Sequence, residues 1–319
     1  MVRIVFYGTP TFAVPALTRL LATPYQVVGV ITQPDRPRGR GRQMSHSPVK
    51  ATATEHGVPL FQPERGMANA VGFIDELQAL HADLGVVAAY GRMLSDAALA
   101  TPRLGTLNLH ASLLPKYRGA APVHRAIIAG EHETGVTIMR LVHEMDAGPM
   151  LARCVYPIGP NDLSIEVEAA LAEMGANLMI ETIERLVADD VTEKEQNHAK
   201  ATFAPRITHD DGLIDWHASA ADIHNLIRGL HPWPHAFGYM NGARYLIHRS
   251  TIVAPPPSTA AGPGVVIEAT KDRLIVATGH SGALALTEIQ SEGRRPLDIR
   301  AFLAGHRWTV GTHFTTAPL

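Results

Sequence analysis

Short apolar runs that alternate with helical patterns constrain the first half of this chain more than any other feature. Val2–Tyr7, closed by Gly8, Val27–Ile31, Leu84–Ala89 and Leu104–Leu109 each have the length and apolar content of a strand buried on both faces. Helix signals lie between and after them. Ser47-Pro48 offers an N-cap followed by proline at the first helical position, and Gly57 sits where a C-terminal stop is expected. Val167, Leu171, Met174 and Leu178 follow helical spacing, with Asp162 and Ser164 available for capping. Strands alternating with helices predict an α/β fold with a doubly wound, mostly parallel sheet.

A composition shift follows Leu186, where ADDVTEKEQNHAKATFAPRITHDDG is polar and broken. Beyond it come a helix pattern at Ala220–Leu230 and short β-type runs at Arg244–Val253, Gly264–Ala269, Arg273–Thr278 and Ala283–Ile289. Many short strands separated by turn signals predict a smaller β-barrel or sandwich. With 319 residues, two domains are the natural division. The expected boundaries are a first domain over 1–188, a linker over 189–208 and a second domain over 209–319.

Bulk charge excludes one class of argument. The formal net charge is −2 and the pI about 6.8, so any nucleic-acid contact must be made by a local basic element. The single cysteine, Cys154, excludes an intrachain disulfide framework and fits a reducing compartment. MVRIVFYGTP reads as a first strand, not a leader peptide, and no apolar run approaches the roughly 20 residues that span a bilayer. These features predict a cytoplasmic protein without membrane contact, and nothing in them demands more than a monomer.

Gly8-Thr9-Pro10 stands where a dinucleotide-binding fold would carry its glycine fingerprint. The G-x-G-x-x-G pattern is missing, so a Rossmann-like sheet here need not hold NAD. The chemistry concentrates in Leu104–Gly119, LGTLNLHASLLPKYRG. Asn108 and His110 occupy alternate positions at a strand end, so both side chains leave one face of the sheet. They emerge at the carboxyl end, where open α/β sheets place their ligand crevice. An amide and an imidazole side by side can donate to one developing oxyanion, and the imidazole can also move a proton. Ser112-Leu113-Leu114-Pro115 is a short stiff wall suited to a flat ligand. Asp146, before Ala147-Gly148-Pro149, lies on a loop that could orient His110 or hold a proton-shuttling water. The chain has 17 histidines, so none of these residues taken singly separates catalysis from structure.

Taken jointly, the run from Asn108 to Pro122 and the distal Met145-Asp146-Ala147-Gly148 resemble the signature of the folate-dependent formyltransferases. The resemblance implies catalysis by Asn108, His110 and Asp146, and a folate site lined by Ser112, Leu113, Leu114 and Pro115. It implies 10-formyltetrahydrofolate as the formyl donor and no metal, since no second compact His/Cys/Glu spacing completes a tetrahedral set.

The whole chain is similar to the branch of that family acting on initiator methionyl-tRNA. Thr32–Arg42 resembles that branch's inserted basic loop, and Ser47-Pro48-Val49-Lys50 follows it as expected. His231-Pro232-Trp233-Pro234 resembles a later motif, with His231 standing where Asn is usual. Arg36, Arg38, Arg40 and Arg42 alternate with Gly or Pro, which suits phosphate pairing and base stacking at an RNA end. Lys116, Tyr117 and Arg118 are further contact candidates, and the second domain is expected to be an OB-like barrel that assists tRNA binding. The alternatives are a formyltransferase acting on an amino-sugar nucleotide, which needs no arginine loop, and an inactive folate- or RNA-binding protein.

Overall fold

Burial on both faces organises the first half of the computed structural model, which describes residues 1–38, 43–64, 71–255 and 261–317. Strand β1 (Arg3–Gly8) is buried from Ile4 onward, and β6 (Leu84–Ala88) and β7 (Thr106–His110) are buried throughout. Beside them lie β2 (Gln26–Ile31), β5 (Leu60–Phe61), β9 (Glu133–Arg140) and β10 (Met150–Pro157), in the order β10-β9-β7-β6-β1-β2-β5. Pairing is parallel from β5 through β7, and β9 then runs antiparallel to β7 and β10 antiparallel to β9. The expected mostly parallel α/β sheet is therefore observed.

Chain order reverses between β1 and β6, because the segment from β2 to β5 builds outward before the chain returns to the other side of β1. A ligand crevice belongs outside the carboxyl ends of such a pair. Here those ends are Gly8-Thr9 and Tyr90-Gly91, and the Thr9 hydroxyl donates to the Tyr90 carbonyl at 3.1 Å. A Cβ at Gly8 would stand 2.8 Å from the Ala13 Cβ, so glycine permits the chain to turn there.

The helices are α1 (Val14–Leu21), α2 (Pro48–Glu55), α3 (Val71–Ala79), α4 (Asp96–Ala100), α5 (Pro122–Ile128) and α6 (Ser164–Val187). Ser47 caps α2 as the sequence predicts, its Oγ accepting from Lys50 N–H at 3.0 Å. The buried stripe of α6 differs from the expected one. It runs through Val167, Leu171, Gly175, Met179 and Ile183, whereas Met174 and Leu178 are only half-buried. The reason is Gly175, where a Cβ would stand 2.8 Å from Leu109 of β7. The missing side chain lets the helix reach the strand that carries Asn108 and His110. Leu109 faces α6, and strand alternation turns its two polar neighbours to the other face.

Two compact units result: residues 1–122, 133–157 and 168–204, and residues 123–132, 158–167 and 205–319. The stretch read as a linker is divided between them at Ala204. In the second unit α7 (Ala220–Gly229) and α8 (Ile299–Gly305) accompany an antiparallel sheet. Its strands are β12 (Ala236–Met240), β13 (Ala243–Val253), β14 (Val266–Thr270), β15 (Arg273–Ala277), β16 (Ala283–Ser291) and β17 (Leu297–Asp298). The order is β12-β13-β16-β15-β14, with β17 on β16. A core including Trp216, Ile223, Ile227, Ile247, Leu286 and Phe302 fills its inner face.

Candidate active site

Alternation along β7 sends Asn108 and His110 out on one face, and both are buried, at 8% and 5% exposure. β7 sits between β6 and β9, with Asn108 level with Val87 and Met139, and His110 level with Thr137. The turn after β7 folds back under the histidine. His110 Nε2 lies 2.9 Å from the Tyr117 carbonyl, which can only accept, so Nε2 carries the proton. The other ring nitrogen, Nδ1, faces Asp146 Oδ2 at 3.7 Å, an ion-pair separation too long for a direct hydrogen bond.

Asp146 is held in place by backbone. Its Oδ2 accepts from Gly119 N–H at 2.8 Å, and its own φ of +50° is a left-handed conformation that aspartate tolerates. Gly119, with φ +116°, is the residue the geometry requires, since a Cβ there would meet the Ala204 carbonyl at 2.9 Å. β8 (Arg118–Gly119) pairs in parallel with β11 (Phe203–Ala204), which fixes the position of this N–H.

Gln196 is the residue that sequence reasoning misses. It is buried, and its Nε2 donates to the carbonyls of Asp146 and Gly148 at 2.9 and 2.8 Å. Its Oε1 accepts from Arg118 Nη2 at 2.8 Å and Nε at 3.2 Å. Arg118, expected among the contact candidates, is itself 2% exposed and is further engaged by His198 Nδ1 and Glu144 Oε1. It braces the Asp146 loop from within. No sequence signal marks Gln196, because it lies in a polar stretch that reads as linker.

The expected folate segment divides by burial. Ser112 and Leu114 point inward, and the Ser112 hydroxyl donates to the Lys116 carbonyl at 2.6 Å. Thr137 Oγ1 ties this wall to β9, donating to the Ser112 carbonyl and accepting from Leu114 N–H. Leu113 and Pro115 keep partly exposed surface.

β3 (Arg36–Arg38) pairs with β4 (Gln43–Ser45) as an antiparallel hairpin, and Arg36 is exposed on it. The Arg38 side chain, Arg40 and Arg42 lie outside the described residues. The hairpin's base is anchored by Asp35, which accepts from Lys50 Nζ at 2.5 Å and Gln62 Nε2 at 3.0 Å and pairs with His46 at 2.7 Å. Those bonds, Lys50 first, hold the Asp35 carboxyl at a pKa of about 2. Gln33 Nε2 donates to the Tyr90 carbonyl at 2.9 Å, so the chain entering the hairpin is tied to the end of β6.

Among the described residues, the one group of three ligating side chains in reach of a common ion is His231, His235 and His248, and it contains none of these site residues. No helix among those residues is long and apolar enough to cross a membrane.

Residues 2–183 match the formyl transferase family, and residues 206–307 match the formyl transferase C-terminal domain. The methionyl-tRNA formyltransferase of Bacillus subtilis (strain 168) is 42% identical over 311 residues, covering 98% of this chain and 97% of that one. That of Caldanaerobacter subterraneus subsp. tengcongensis is 44% identical over 310 residues, covering 97% and 99%. Among solved structures, an N-formyltransferase from Helicobacter canadensis in complex with folinic acid and dTDP-3-aminofucose has a TM-score of 0.69. It covers 91% of this chain and 100% of that one at 19% identity, which speaks to the fold alone. HypX from Aquifex aeolicus in complex with tetrahydrofolic acid reaches 0.60 at 16% identity, over 98% of this chain and 50% of that one.

Proposed function

The chain belongs to the formyl transferase family, and on that premise we propose that it moves the formyl group of 10-formyltetrahydrofolate onto the α-amino group of methionine carried by initiator tRNA. The observation that carries this reading is the pairing of two facts. Relatives named methionyl-tRNA formyltransferase align over nearly the whole chain, and the three motif residues fall on one strand end and the loop facing it.

The donor supplies a formyl group activated on a folate nitrogen and leaves as tetrahydrofolate. The residues fit such a ligand: Leu113 and Pro115 offer partly exposed apolar surface, and Ser112 and Leu114 shape that wall from behind. With Nε2–H engaged by the Tyr117 carbonyl, Nδ1 of His110 serves the reacting atoms. As the amine nitrogen bonds to the formyl carbon, the Asn108 amide and the Nδ1–H of His110 in its doubly protonated form donate to the oxygen that becomes an oxyanion. Asp146 takes the proton that the amine loses. The His110–Asp146 pair returns it to the folate nitrogen as the old C–N bond breaks. These roles need no metal.

The Arg36–Arg42 loop is assigned to the tRNA acceptor end, and the C-terminal domain, read as OB-like, to further tRNA contact. The protein is read as a cytoplasmic monomer. The test is formyl transfer to charged initiator tRNA, with elongator methionyl-tRNA and a 4-amino-sugar nucleotide as competitors. Transfer confined to the initiator tRNA is expected, and deletion of residues 38–42 should abolish it. Transfer to the sugar alone would overturn the tRNA assignment.

A further inference from the structure

Within the second unit, the connector between α7 and β12 carries His231 and His235 on either side of Pro232-Trp233-Pro234. It is pinned at both ends. The Ser164 hydroxyl donates to the His231 carbonyl, and His235 N–H donates to the Leu230 carbonyl at 3.1 Å. His248 meets them from β13 at a β-bulge, where the pairing shifts between Ile247 and Arg249. A bulge re-aims the side chain it carries. The three rings gather closely, with centroids 4.0 Å apart for His235 and His248, 5.1 Å for His231 and His235, and 6.0 Å for His231 and His248. One ring nitrogen from each lies within 4.8 Å of those of the other two.

Two of the three rings carry an unpartnered nitrogen. Nδ1 of His231 and Nδ1 of His235 are buried and have no hydrogen-bond partner among the described residues. A buried polar atom left unpaired is costly, so its presence in two adjacent rings points to a missing partner. The third ring has its tautomer set by its neighbours. Gln290 Nε2 donates to the Arg294 carbonyl at 2.6 Å, which turns Gln290 Oε1 toward His248 Nε2 at 2.8 Å. That oxygen can only accept, so Nε2 of His248 donates to it and Nδ1 is the nitrogen left to ligate. An outer amide that orients a ligating imidazole in this way is a recurrent part of metal sites.

We propose that His231, His235 and His248 bind one Zn²⁺ ion, with water in the fourth position, and that the ion fastens the α7–β12 connector to β13. Three imidazole nitrogens favour a borderline divalent ion, with zinc preferring tetrahedral nitrogen ligation at about 2.0–2.1 Å. That distance separates the ligating nitrogens by roughly 3.4 Å, so the three draw inward from a spacing that is now within 4.8 Å. The proposal is independent of the formyl-transfer reading, since it concerns other residues and another readout. It also differs from the sequence-based expectation, because the histidines are brought together by the bulge and not by a compact motif.

The test uses the full chain stripped by a chelator and dialysed. Zn²⁺ titration against a chromogenic chelator should give one tight equivalent per chain, and zinc should raise the Tm by several degrees. His235→Asn and His248→Gln should each weaken uptake at least 10-fold and remove the Tm shift, whereas His56→Gln on α2's exposed C-cap should change neither. Co²⁺ loading of the unaltered chain gives a reading that no variant's folding can confuse: intense visible bands report tetrahedral nitrogen ligation. Absence of a stoichiometric ion, weak octahedral Co²⁺ bands, or uptake indifferent to both ligand substitutions would overturn the site.

Discussion

Replacing Gln196 by leucine keeps a side chain of similar bulk and removes four hydrogen bonds at once. Two come from its amide nitrogen to the Asp146 and Gly148 carbonyls, and two reach its oxygen from Arg118. The carbonyls lose a buried donor, a loss worth about 1–3 kcal/mol for each group left unpaired. The Arg118 guanidinium keeps His198 and the well-exposed Glu144, so its loss is partial. Together these place the destabilisation at about 3–5 kcal/mol. The catalytic consequence arises because the released carbonyl belongs to Asp146 itself. A displacement of about 1 Å in a catalytic group can cost roughly 10²-fold, so kcat should fall between 10- and 100-fold with a smaller change in KM. The assay is steady-state formyl transfer beside denaturant melts, in wild-type and Asp146→Asn backgrounds. If Gln196 works by placing Asp146, its substitution should cost little more once Asp146 is disabled. An equal fold loss in both backgrounds would refute the reasoning. Gln196→Glu offers a second arm: it retains an acceptor for Arg118 but loses both donors, so activity should fall further than stability.

Asn108→Ala removes one oxyanion donor and should lower kcat roughly 10²–10³-fold with the melting curve little changed; near-wild-type turnover would take Asn108 out of the reaction. Arg36→Ala should weaken charged-tRNA binding, reduce its salt slope by about 1 and leave the KM for folate alone; an effect on folate would contradict the assignment of this loop. His224 gives a pH signature. Burial first, and then Arg228, lowers its pKa from 6.5, and the neutral ring donates from Nε2 to the Pro160 carbonyl while Nδ1 meets the Ser250 hydroxyl. The unfolded chain therefore takes up a proton that the folded ring refuses. The stability tied to this ring is complete above pH 6.5 and declines as pH falls from 6.5 toward the lowered value, by at most about 1.4 kcal/mol per pH unit. His224→Gln should flatten the stability curve over that window; melts from pH 7 to 5 with unchanged slope would exclude the contribution.

Much of the scaffold is legible because the period of a buried strand and the chemistry of a cap are local. Val2–Tyr7 and Leu84–Ala89 locate β1 and β6 within a residue or so, and Ser47-Pro48 marks the start of α2. The phase of α6 is less legible, since large apolar residues suggest Met174 and Leu178 while the real contact runs through Gly175, which packs by having no side chain. A sequence pattern scores what is present, and here absence makes the contact. Asn108 and His110 are readable as a pair because two positions on a strand share a face. Asp146 is 36 residues from His110, and only the joint motif signals their approach. Gln196 and the three gathered histidines carry no local signal, because their partners are chosen by tertiary contact, in one case through a bulge.

The turn from Ala111 to Gly119 supplies a tether to each of His110 and Asp146: the Tyr117 carbonyl holds the imidazole, and the Gly119 amide holds the carboxylate. The two groups therefore share one frame of reference. Both tethers are main-chain atoms, so no side-chain truncation along the turn removes either of them directly. The turn's sensitive point is Gly119, where the demand is on backbone shape and no side chain can meet it.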